Sequence, residues 1–98
     1  MKASPELENF IDNSIELCRA KKYSPIAFIR MRFELGTVHA ISKLVTSGKF
    51  QSGFTRLIRL GLVDWTIEAA VEKFPAEFSK SDLECAKFRL KEARDLSI

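Results

Sequence analysis

Gly53-Phe-Thr-Arg-Leu-Ile-Arg-Leu-Gly61-Leu-Val-Asp-Trp-Thr-Ile-Glu68 reads as two short helices meeting at a corner. Phe54, Leu57 and Ile58 stand at i, i+3 and i+4, which is one face of a helix. Gly61 can take the left-handed conformation that ends a helix, and the Asp64 carboxylate can accept the free N–H groups that begin the next. The corner sets two apolar faces against a common core and by itself specifies no chemistry. Leu57, Ile67 and Ala70 are expected in that core, with Phe33 from a preceding helix.

Working outward, the start and stop signals repeat. Ser4-Pro5 followed by Glu6 and Glu8 predicts a helix running to about Lys21, with Leu7, Phe10, Ile11, Ile15 (or Ser14), Leu17 and Cys18 on its apolar face. Ser24-Pro25 repeats that signal for a helix over Ile26–Leu35, stopped by Gly36. Ile26, Ile29 and Phe33 lie on one side of it and Phe28, Met31 and Leu35 on nearly the opposite side. Two apolar sides predict a central helix, sandwiched between others. Thr37 is placed to cap a third helix, with Val38, Ile41, Leu44 and Val45 inward and His39, Lys43 and Thr46 outward.

Ser47 to Gly53 reads as a loop with Phe50 tucked in. Beyond the corner, Ile67, Ala70, Val71 and Phe74 form a stripe that Pro75 ends. Ser79 and Asp82 have the spacing of an acidic capping box for the last helix, whose inner face is Leu83, Ala86, Leu90 and Ala93. No strand-like alternation or repeat is present. The expected fold is all-α, one domain over residues 1–98, a compact bundle of five to six short helices.

Tyr23-Ser-Pro25, Phe28-Ile-Arg-Met31, Gly36, Gly53-Phe-Thr and Leu60 to Glu68 together resemble a recurring bacterial segment with the motif G-F-T-x-L-x-x-L-G-x-x-D-x-T-I/V-E. Glu84 and Lys87-Phe-Arg-Leu90 follow its closing pattern loosely. The chain departs from it at Ile58, Arg59 and Leu62, where that segment tends to carry Trp, Glu and Arg. The resemblance implies a small helical module of a bacterium or phage and brings no activity with it.

The net charge of +3 is unevenly spread. Residues 1–18 set Lys2 against Glu6, Glu8, Asp12 and Glu16. Between residues 19 and 63 nine Lys and Arg face Glu34 alone, and the remainder is mildly acidic. Either acidic helices pack beside the basic middle and balance it, or the middle meets an anionic partner. Nothing approaches a membrane-crossing apolar run, and the N-terminus lacks a signal-peptide core, so a cytoplasmic protein is expected.

Chemistry-bearing patterns are sparse. His39 is the single histidine and reads as a solvated surface residue. Glu68 and Glu72 read as surface charges with Lys73 nearby. Cys18 and Cys85 read as two free thiols packing as small hydrophobes, with a bridge between the terminal helices as the alternative. No enzyme, metal, cofactor or small-molecule substrate is indicated.

Macromolecular binding has more support. Gly36 between two basic helices has the outline of a helix-turn-helix, but Arg32 stands where such a motif wants a small residue, and few outward side chains remain to read bases. Eight Phe, Tyr23 and Trp65 are many aromatics for this length, and Trp with Arg commonly anchors protein interfaces. The expected function is a non-enzymatic interaction protein that binds another protein or itself. The alternative is nucleic-acid binding through the basic middle. The residues expected to meet a partner, as an interface or an anion patch, are Arg32, Lys43, Arg56, Arg59 and Trp65. The competing expectation for Arg32 is a pair with a terminal-helix carboxylate such as Glu16 or Glu84.

Overall fold

The structure, a computed structural model, describes residues 2–47 and 52–96. The described residues form an all-α bundle of six helices: α1 (Pro5–Ala20), α2 (Ile26–Leu35), α3 (Thr37–Val45), α4 (Ser52–Arg59), α5 (Ile67–Lys73) and α6 (Lys80–Leu96). Two 3-10 turns, Val63–Trp65 and Pro75–Glu77, flank α5. The described residues contain no strand. Phe50 and most of the loop expected around it lie outside the described residues, and α4 already begins at Ser52, inside that expected loop.

The Gly61 corner forms as expected. Gly61 has φ +76°, its N–H donates to Ile58 O, and Leu62 N–H donates to Leu57 O at 2.9 Å. These two hydrogen bonds around the left-handed Gly61 are the Schellman arrangement, and its hydrophobic contact is present because Leu62 and Leu57 are buried in one cluster. The end of α1 repeats it with Lys22 at φ +63°, Tyr23 N–H bonding Cys18 O, and Tyr23 packing on Cys18.

Three caps differ from expectation. A 3-10 turn occupies Val63–Trp65, so α5 starts two residues beyond the point where Asp64 could cap it. Thr66 does so instead, accepting from Ala69 N–H at 3.1 Å while donating to Val63 O at 2.9 Å. Asp64 is 81% exposed. Thr66→Ala is therefore expected to cost about 1 kcal/mol, at most about 2, and Asp64→Ala under about 0.5, in equilibrium urea unfolding. Thr37 sits inside α3 with Gly36 at the cap, and its hydroxyl turns to α1. Pro25, not Ser24, holds the cap position of α2, with no side-chain bond. Ser4 and the Ser79–Asp82 box act as read: Ser4 Oγ accepts from Leu7 N–H, and Ser79 and Asp82 exchange side-chain bonds with each other's amides.

The centre of the bundle is α5, not α2. The seven residues of α5 pack against α1, α3 and α6, with Ala70 and Val71 fully buried. Small Ala70 lets neighbouring helices close on it from several sides. Around it gather Leu7, Phe10, Ile11 and Ile15 of α1, Ile41 and Val45 of α3, and Ala86 of α6. No residue of α2 is buried. Its Phe28 and Ile29 rest on the core, but Phe33 is 92% exposed, which overturns its placement in the core.

Candidate functional site

Arg32, expected beside Arg56 and Arg59 in an anion patch, is paired within the fold. Its side chain leaves α2 toward α1, where Nη2 meets Glu8 Oε1 at 2.8 Å and Nη1 meets Asp12 Oδ1 at 2.9 Å. Nε donates to Thr37 Oγ1 at 2.9 Å, and that hydroxyl donates to Glu8 Oε1. Burial disfavours the guanidinium charge, and the two carboxylates more than offset it. Arg32 is thus consumed in a cluster that joins α1, α2 and α3. Its partners are acids of a terminal helix, as one reading expected, but Glu8 and Asp12 rather than Glu16 or Glu84. The acidic first helix does pack against the basic middle at this point.

The same cluster sets an acid-sensitivity. Burial raises the Glu8 pKa, but Thr37 and Arg32 pull it net below the usual 4.5. A lowered folded-state pKa gives stability that is present above 4.5 and lost as pH falls through the folded value. Glu8 is 41% exposed, so the effect is screened. Between pH 5 and 3 the wild type is expected to lose more thermal stability than Glu8→Gln; parallel melting curves would remove Glu8 from the account.

The other expected site residues lie on α3, on α4 and in the Val63–Trp65 turn. Arg56 is exposed, with its guanidinium carbon 5.3 Å from the centre of the Tyr23 ring. Arg59 on α4 and Lys43 on α3 are exposed. Trp65 faces inward: its ring stacks on Phe10 at 5.0 Å between centroids, and its carbonyl accepts from Ser14 Oγ at 2.5 Å. It bridges the main core and the Cys18–Leu57–Leu62 cluster. Cys18 and Cys85 are both free thiols.

Sequence reasoning missed a buried ion pair. Glu68, expected on the surface, has no solvent exposure, and its Oε2 accepts from Arg89 Nη1 at 3.0 Å. Arg89, itself 5% exposed, also donates to Leu44 O at 3.0 Å and Ser47 O at 2.5 Å. It therefore plugs the carbonyl end of α3, where a cation suits the helix dipole, while Glu68 balances its charge. Burial pushes the Glu68 pKa up, against its own backbone N–H and Arg89, which pull it back. Among the described residues no other side chain or backbone group bonds Glu68 Oε1, which is buried. A signal for Arg89 was available: at 100° per residue it falls beside Ala86, Leu90 and Ala93 on the inner face of α6.

Two other features stand out. Ile26 (62% exposed) and Phe33 lie two turns apart on the outer side of α2. A cavity of ≈150 Å³ lies where α1, α2, α4 and the start of α5 meet, with Glu68 in its wall. No helix among the described residues is long and apolar enough to cross a membrane. Compared with protein-family models, curated proteins and solved structures, the chain matches none of them.

Proposed function

We propose that this is a non-enzymatic, cytoplasmic interaction protein of a bacterium or phage, of the kind its resemblance to the G-F-T-x-L bacterial segment suggests. It binds another protein through the outer face of α2, a second copy of itself being the simplest occupant. One observation carries this reading: Phe33 is 92% exposed near the end of a helix that buries none of its residues. Ile26 shares its side at a seven-residue spacing, so the two make a stripe and not a scattered pair. Single exposed apolar residues such as Phe88 are ordinary and carry nothing alone.

Charge supports self-pairing. Arg30 and Glu34 flank the stripe, both exposed, and neither has an ion-pair partner among the described residues. Opposite charges beside one apolar stripe make a self-complementary patch across a two-fold axis. The basic-middle alternative has less behind it, since Arg32 is already matched by α1.

Sedimentation equilibrium over a concentration series, beside retention on random DNA over a salt series, separates the two. The expected result is a dimer mass that grows with concentration and barely responds to salt. A monomer that is retained on DNA, with retention falling steeply as salt rises, would move the function to the basic middle.

A further inference from the structure

The cavity where α1, α2, α4 and the start of α5 meet is walled mainly by hydrocarbon, with Ile15, Phe28, Met31, Leu57 and Ile67 among its lining residues. Ala27 and Gly53 also line it, and with little or no side chain they do not fill it from α2 or α4. Ala27 is exposed, so the wall reaches the surface at the start of α2. The volume of ≈150 Å³ is that of one benzene-sized molecule, several times the roughly 30 Å³ share of a water.

The chemistry of the wall decides what the space can hold. Ser14 Oγ donates to Trp65 O at 2.5 Å, and Thr66 Oγ1 donates to Val63 O and accepts from Ala69 N–H. Cys18 is buried, and burial keeps its thiol protonated. The Tyr23 hydroxyl, beside Gly53, is one group able to bond a guest. An ordered water needs two to four polar partners, more than these side chains leave free. A charged guest is disfavoured as well. Among the described residues no Lys or Arg lines the cavity, and Glu68, its one acid, has no solvent exposure and already pairs with Arg89 at 3.0 Å. A charge placed there would be buried without a counter-charge of its own. An apolar guest meets neither cost and gains dispersion contacts with the wall.

We infer that this cavity is a binding site for a small, uncharged, hydrocarbon-like molecule about the size of benzene. Phe28 and Met31 lie nearly opposite Ile26 and Phe33 around the axis of α2, so the site does not depend on the outer face of that helix.

Benzene and pyrazine test it. The rings match in size and neither is charged at neutral pH, but pyrazine carries two nitrogens that need donors. In an amide chemical-shift titration of the whole chain, benzene is expected to saturate. It is expected to bind roughly tenfold more tightly than pyrazine, or better, because the Tyr23 hydroxyl can serve one ring nitrogen and the other is desolvated without a donor. Intermolecular NOEs to the methyl groups of Ile15, Met31 and Leu57 are expected to place the benzene. Met31→Trp fills the space from a helix that buries none of its residues, so it is expected to fold and to abolish benzene binding. Should that variant fail to fold, the ratio of the two rings and the NOEs decide alone. Equal binding of the two rings, saturable binding of neither, NOEs confined to other residues, or benzene binding unchanged in a folded Met31→Trp protein overturns the inference.

Discussion

Glu68→Ala is expected to lower the unfolding free energy by about 3–5 kcal/mol, because it removes the buried carboxylate that pairs with the buried Arg89 guanidinium. Arg89→Met is expected to be as severe by a different route. It strands the Glu68 carboxylate and also removes the donors to Leu44 O and Ser47 O at the end of α3. Replacing both residues with apolar ones of similar size removes the stranded charge but not the stranded carbonyls. The double variant should therefore recover part of the loss and not all of it. Urea unfolding of the two single variants and the double one checks this. Strict additivity would mean that the two side chains do not act as a pair.

The pH dependence of this pair runs opposite to that of Glu8. A carboxyl whose folded-state pKa is raised above 4.5 holds its proton more tightly when folded. Its contribution is fully present below 4.5 and is lost as pH rises from there through the folded value. Glu8 acts below that window and in the other direction.

Ile41→Ala is the second large effect. Ile41 is fully buried on α3 against Leu7, Ile11 and Val71 in one core, so its truncation is expected to cost about 2–5 kcal/mol. Phe33→Ala, a larger truncation by volume, is expected to cost under about 1 kcal/mol because the ring is already in solvent. Denaturation midpoints of the two variants measured side by side check the inversion of size and effect.

That inversion shows what the sequence could and could not reveal. Helix existence was legible because caps and stops are local: Ser4-Pro5, Gly36, Gly61, Pro75 and the Ser79–Asp82 box each act within a few residues. The inner faces of α3 and α6 were legible from spacing, since Ile41 and Val45, and Ala86, Leu90 and Ala93, are buried. The place of α2 was not. Periodicity reported two apolar sides, but it cannot say that α5 would take the centre and leave one of those sides in water.

Glu68 was misread for a related reason. It lies at the fringe of the Ile67–Ala70–Val71 stripe, which is surface on a peripheral helix and interior on one enclosed by three neighbours. Asp64 was read as the cap, and the 3-10 turn over Val63–Trp65 carries the helix start on to Thr66, which caps it instead. The Arg32 cluster and the cavity depend on contacts between distant segments, for which the sequence has no local mark.

The central claim is that the outer face of α2 belongs to a partner and not to the fold. The most direct measurement is the sedimentation mass of the wild type and of Phe33→Asp at one concentration, taken with their urea midpoints. The wild type is expected to be a dimer and Phe33→Asp a monomer, with the same midpoint for the two when the wild type is diluted to monomer. A Phe33→Asp protein that still dimerises, or one destabilised by several kcal/mol as a monomer, would contradict it.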